Sequence, residues 1–193
     1  MIYCIRMEVD IMATRGHIAI KENGKYKYIY NHWDSDIEQL GVTLFKFYKD
    51  ADKVRALINL GNVSSVGETI ENNASCYKEH MDLNNNHPGT VAMYREGRTW
   101  KDYDYYNPDK QWEDCKPTET EEIDELFSGK FIEWIYIFDV EENKWYMAYD
   151  RENYELKDLE EMLHNEENAM RYAELININK KYRKAFVERC LSA

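Results

Sequence analysis

His32 and Asp34, separated only by Trp33, are the sharpest chemical pair in this 193-residue sequence. An imidazole can serve as general base or metal ligand, and a carboxylate can orient it. Two groups at i and i+2 supply half of a tetrahedral metal set, and no His or Cys cluster follows them. The plainer reading is a corner, in which His32 and Trp33 lock a strand-to-helix turn and Asp34 or Ser35 caps the helix. Arg15 opens the first strand, and hairpin pairing brings it near Asn31 and His32. Arg15, His32, Trp33 and Asp34 would then form a corner able to take an anionic ligand such as a nucleotide. The alternative is a buried Arg15–Asp34 ion pair that fixes the corner. His17 lies in the same hairpin.

A second constellation interleaves rings and acids: Trp100, Asp102, Tyr103, Asp104, Tyr105, Tyr106, Asp109 and Trp112, preceded by Tyr94. Aromatic and acidic residues in an irregular segment suit an interface that docks on a basic protein surface. The same rings could stack bases, but the interleaved carboxylates oppose phosphates. A packed loop covering the sheet is the bland alternative. The sequence has no phosphate-binding P-loop, Rossmann glycine series, nucleophile elbow or H-E-x-x-H. Cys76 and His80 are an isolated i, i+4 pair. No catalytic residue, cofactor or metal is assigned on these grounds, and the balance leans away from an enzyme.

Charge narrows the classes further. The net charge is −12. Residues 113–167 hold 19 Asp and Glu against 5 Lys and Arg, whereas residues 168–193 hold 2 against 6. The acidic third should repel nucleic acid and favour basic partners, including proteins that themselves hold nucleic acid. A merely solvated face is the other reading. Cys4, Cys76, Cys115 and Cys190 form no C-x-x-C pair, and the N-terminus has no signal-peptide pattern. With no apolar run long enough for a bilayer, the expectation is a cytoplasmic protein with reduced thiols and no membrane association.

The elements that must position these residues follow from pattern. Residues 15–20 and 25–31 read as strands joined through Asn23-Gly24, the strongest short hairpin signal. Ser35-x-x-Glu38 fits a capping box ahead of a stripe of Ile37, Leu40, Leu44, Phe45 and Tyr48. Asp50 or Asp52 caps a helix bearing Val54, Leu57 and Ile58, stopped at Gly61. Residues 62–89 lack pattern, and 90–95 read as a strand. The stretch 96–117 reads as irregular, Thr118-x-x-Glu121 as a second capping box, and the helix it opens as ending at Gly129. Residues 131–140 form the central strand, turned at Glu142-Asn143 into a partner at 144–149. Leu156, Leu159, Met162 and Leu163 start a helical tail, continued by Ala169, Tyr172, Ile176, Tyr182 and Phe186. The expectation is an α+β core over 1–150, with an antiparallel sheet of about five strands and helices on one face. A helical C-terminal extension over 151–193 packs back on the acidic part, or on that part of a second copy in a homodimer.

In chain order, Met12-Ala13-Thr14-Arg15, Asn23-Gly24, Tyr28-Ile29-Tyr30, His32-Trp33-Asp34, Gly41, Tyr48, Lys53-Val54, Leu57-Ile58, Leu60-Gly61 and Ser64-Ser65-Val66-Gly67 form a recognisable series. It resembles a widespread phage-encoded family of unsettled function that opens M-A-T-R and carries C-H-W-D-G-Y-P after its first hairpin. The later Tyr94-Arg95 and Lys144-Trp145-Tyr146 extend the resemblance over about residues 12–150. Asn31 stands where the family has Cys, and Ser35-Asp36-Ile37 where it has Gly-Tyr-Pro. Residues 1–11 read either as lying ahead of initiation at Met12 or as a strand on Ile2-Tyr3-Cys4-Ile5. The resemblance implies a phage setting and an accessory role in the host cell. With the acidity it gives an expected anti-CRISPR-like inhibitor that binds a basic host defence nucleoprotein. The alternative is a nucleotide-binding or nucleotide-hydrolysing protein that removes a defence signal.

Overall fold

A computed structural model describes residues 14–70, 89–93, 108–129, 131–149, 154–165, 167, 169–170 and 182–192, and in it the fold grows from two hairpins. Asn23 and Gly24 both take positive φ, 50° and 75°. That geometry matches the right-handed twist of the flanking strands, as in a type I′ turn. It joins β1 (Gly16–Glu22) to β2 (Lys25–Asn31) in a register running from Glu22↔Lys25 to Gly16↔Asn31. The second hairpin joins β6 (Trp134–Asp139) to β7 (Lys144–Tyr149), with Asn143 at φ 54°. Asp139 accepts the amides of Glu141 and Glu142 at 3.1 and 3.2 Å and so shapes that turn.

The two hairpins meet in parallel. Gly16 pairs with Trp134 and Lys21 with Asp139, so β1 and β6 run in the same direction. Every residue of β6 is buried, as a central strand covered on both faces requires. Between the hairpins lie α1 (Val42–Phe47), preceded by a π-turn over Ile37–Gly41, and α2 (Ala51–Ile58). The short strands β3 (Val63–Ser65) and β4 (Val91–Ala92) follow, then α3 (Pro108–Cys115) and β5 (Thr118–Thr120). After β7 come β8 (Lys157–Asp158), α4 (Leu159–His164) and α5 (Arg183–Leu191). The strand order is β4-β3-β2-β1-β6-β7-β8, with β5 on β2.

The expected five-stranded antiparallel sheet is therefore corrected to a mixed sheet of eight strands. β1–β6 and β2–β3 are parallel, because the intervening helices return the chain to the end of the sheet from which it left. Thr118–Thr120 does not cap a helix: it pairs antiparallel with Tyr28–Tyr26. The 3₁₀ turn over Ile123–Phe127 that follows has no side-chain cap; Thr120 Oγ1 accepts Glu122 N at 3.0 Å just ahead of it. Residues 108–115, expected to be irregular, are helical.

Sheet parity divides the core. Ile18, Ile20, Trp134, Tyr136, Phe138, Trp145 and Met147 face α1, α2, α4 and α5. Burying each of the large rings contributes about 2–3 kcal/mol relative to leaving it exposed. Ala19, Tyr28, Ile135, Ile137 and Ala148 face the other way, under Leu126 and Phe127 of the 3₁₀ turn. Helices on one face was thus an incomplete expectation, since the second face is also covered. The tail is continuous with the first layer through Leu159, Met162, Leu163, Ala169, Phe186 and Val187. Leu156 precedes β8 and is exposed, outside the expected helical stripe, and Tyr182 is also exposed. Tyr172 and Ile176 lie outside the described residues, as do residues 1–11 and Tyr94-Arg95. No helix among the described residues is long and apolar enough to cross a membrane.

Candidate functional site

Hairpin register assembles one end of the sheet. His17 sits opposite Tyr30, and one step beyond the ladder Arg15 comes level with His32. The Arg15 guanidinium donates to the Tyr30 phenol. Tyr30 Oη lies 2.9 Å from His32 Nδ1. Burial pushes the Tyr30 phenol up to about 12, an effect that Arg15 partly offsets. Arg15 also lies over the Phe131 ring, 5.2 Å from its centroid.

The rest of the corner departs from expectation. Arg15 makes no ion pair with Asp34; Asp34 is exposed at a turn position with φ 56°. Neither Asp34 nor Ser35 caps the helix. Asp36 does, accepting Gln39 N at 3.0 Å, and burial with help from Glu38 raises its carboxyl to about 6. Ser35 is buried instead, and Asn31 Nδ2 donates to Ser35 Oγ at 2.7 Å and to Trp33 O at 2.6 Å. Trp33 stays at the corner, its ring 4.5 Å from that of His32 in an edge-on contact. Its amide bonds Ser64 O at 2.9 Å.

His17 belongs to the same end. Its Nδ1 lies 2.6 Å from Leu126 O, so Nδ1 bears the proton and donates it. Burial, opposed by that hydrogen bond, lowers the imidazole to about 4. His17 is therefore neutral near pH 7. A cavity of about 360 Å³ opens here, lined by Arg15, His17, Tyr30, Ser128, Gly129, Phe131 and Ile132. Of the four expected corner residues it takes Arg15 alone. The period of the strand was the available signal: Arg15 and His17 alternate onto one face, and the two-residue turn places Tyr30 beside them.

The same sheet face is acidic beyond the cavity. Around the second sheet face, Glu119, Glu121, Glu122, Asp124, Glu125 and Glu142 are exposed. Half-buried tyrosines stand among them: Tyr154 Oη donates to Asp124 and Tyr146 Oη to Glu142, each at 2.5 Å. Those hydrogen bonds, with burial second, push both phenols up to about 12. Lys25 pairs with Glu121 at 3.0 Å. This is an acidic, tyrosine-bearing surface, but not on the residues expected to form one. Trp100, Asp102, Tyr103, Asp104, Tyr105 and Tyr106 lie outside the described residues. Asp109 falls in α3. Trp112 is half-buried and packs beside Gly61, where an added Cβ would lie 3.1 Å from its ring.

Among the described residues, no three His, Cys, Asp or Glu side chains converge on a point where a metal ion could sit. The architecture thus defines a mixed-sheet α+β protein with an acidic face and a cationic cavity at one sheet end. Comparison with family models, curated proteins and solved structures finds no match to this chain.

Proposed function

We propose that this protein acts by binding a basic protein partner through the acidic, tyrosine-bearing face. The partner class we favour is a host nucleic-acid-handling defence factor, inhibited stoichiometrically in the manner of an anti-CRISPR protein. The phage-type sequence resemblance supports the setting. The observation that carries the reading is the excess of exposed carboxylate around Tyr26, Tyr146 and Tyr154. Glu119, Glu122 and Glu125 are exposed and pair with no Lys or Arg among the described residues. Such a surface repels phosphate and attracts a basic groove, while half-buried tyrosines supply rigid contact area at low entropic cost.

Capture from host lysate with mass spectrometry identifies the partner, and stopped-flow association then tests the mechanism. Charge steering predicts that the association rate falls about tenfold or more between low and ~0.5 M salt. Replacing Asp124, Glu125 and Glu142 with their amides should lower the low-salt rate and leave the fold intact. A rate indifferent to both changes would mean that the acids are only a solvated surface.

A further inference from the structure

The cavity at the Arg15 end of β1 shares the second sheet face with the acids but presents a different lining. We propose that it binds a small organic anion, a carboxylate or phosphate monoester on a compact apolar body. Arg15 would be its charge partner, and Phe131 and Ile132 its apolar wall. Three observations meet there. First, Arg15 makes no ion pair among the described residues, and its Nε is buried with no hydrogen-bond partner there. A buried donor left unpaired costs stability, and a guanidinium is shaped to donate to carboxylate or phosphate oxygens. Glu133, whose carboxyl burial raises and the Arg15 charge partly lowers, does not line the cavity.

Second, Phe131 is 64% exposed, a large ring held at the cavity mouth beneath the guanidinium rather than in the core. Third, His17 Nδ1 is committed to Leu126 O, so Nε2 keeps a lone pair that accepts no hydrogen bond among the described residues. It offers an acceptor for a hydroxyl or amine on the ligand body. The volume, about 360 Å³, lies at the small end of the range for small-molecule sites, and the mix of apolar wall and few polar groups is typical of them.

Benzoate and phenyl phosphate are suitable probes, with benzyl alcohol as the neutral control, titrated into the full chain and followed by ¹H–¹⁵N NMR. At least one anion should saturate with a Kd on the order of millimolar, as expected for ligands of this size, and benzyl alcohol should bind about tenfold more weakly. Saturation by benzoate alone assigns a carboxylate site, and by phenyl phosphate alone a phosphate site. Arg15→Gln should weaken the anion by about tenfold or more, the scale of a charge-assisted hydrogen bond. Phe131→Ala, at an exposed position that does not hold the fold, should weaken it several-fold. Absence of saturation by both anions in the natural chain would overturn the proposal. So would equal affinity for the neutral control, or unchanged affinity in both variants.

Discussion

β1 and β6 run side by side, and their two ends are finished in opposite ways. At the C-terminal end Lys21 and Asp139 are in register, and Nζ donates to Oδ2 at 2.7 Å. Burial opposes ionisation of Asp139, yet Lys21 and the turn amides outweigh it and hold the carboxyl below its ordinary value. Nearby, Glu22 pairs with Arg55, and Asn23 N donates to Glu141 at 2.9 Å. At the N-terminal end Arg15 O accepts the amides of Glu133 and Trp134 at 3.0 and 3.3 Å, and the guanidinium donates to the Tyr30 phenol and makes no ion pair among the described residues. One strand pair thus ends in an ionic clasp and begins in a cation that makes no ion pair among the described residues, beside a cavity. Paired charge fixes structure, and a cation outside an ion pair is available for recognition.

Separating the strands at the cavity end should have the largest effect on stability. A Cβ on Gly16 would meet Trp134 O at 2.7 Å and Ser35 Cβ at 3.1 Å. Both neighbours are tied down, since Trp134 is paired in β6 and Ser35 is bonded to Asn31. Gly16→Ala should cost about 3 kcal/mol or more, measured by urea unfolding, because backbone must move to admit a methyl. An unchanged midpoint would show that the two strands are not closely seated there.

A smaller effect separates the two ends directly. Asp139→Ala strands the Glu141 and Glu142 amides and removes the partner of Lys21. Lys21 is 35% exposed and can turn to water, so the loss comes mainly from the turn, about 2 kcal/mol. Arg15→Gln breaks no ion pair and should cost less than about 1 kcal/mol. Paired urea titrations check the ranking. Equal losses would make the Arg15 end as structural as the other and remove the asymmetry.

Parts of this architecture were legible from local chemistry. Asn23-Gly24 dictates the β1–β2 register, Asp50 caps α2 by accepting Lys53 N at 2.9 Å, and the apolar run at 134–138 marks a doubly covered strand. The parts not legible in the sequence depend on contacts distant along the chain. Nothing near Thr118 announces that Tyr28 is its partner, and β3 contributes only Val63 to its ladder with β2. The corner shows the same limit. Asn31 and Ser35, two positions that depart from the resembled pattern, hydrogen-bond each other, which moves the cap to Asp36. Arg15 was picked out from its type, whereas His17 and Tyr30 required the strand period and turn geometry together.

The subtlest difference between the ends is in their response to acid. His17 titrates at about 4 folded and about 6.5 unfolded. Within that window the unfolded chain holds a proton that the folded one refuses, so stability falls as the pH drops. Asp36, beside the same corner, is raised from 3.8 to about 6. There the folded chain holds the extra proton, so stability rises as the pH drops through nearly the same window. The two effects oppose each other, and the natural chain should show a shallow dependence between pH ~6.5 and ~4. Asp36→Asn keeps an N-capping side chain and removes only the compensating titration. It should unmask a loss on the order of 2 kcal/mol on acidification across that range, seen as a falling urea midpoint. Asp139 is depressed from 3.8, so its contribution persists above that value and is lost only at lower pH. Asp139→Ala should therefore lower the whole curve without changing its slope between pH ~4 and ~6.5. A steeper acid slope in Asp139→Ala than in Asp36→Asn would place the titrating end of the sheet at the ionic clasp rather than at the cavity.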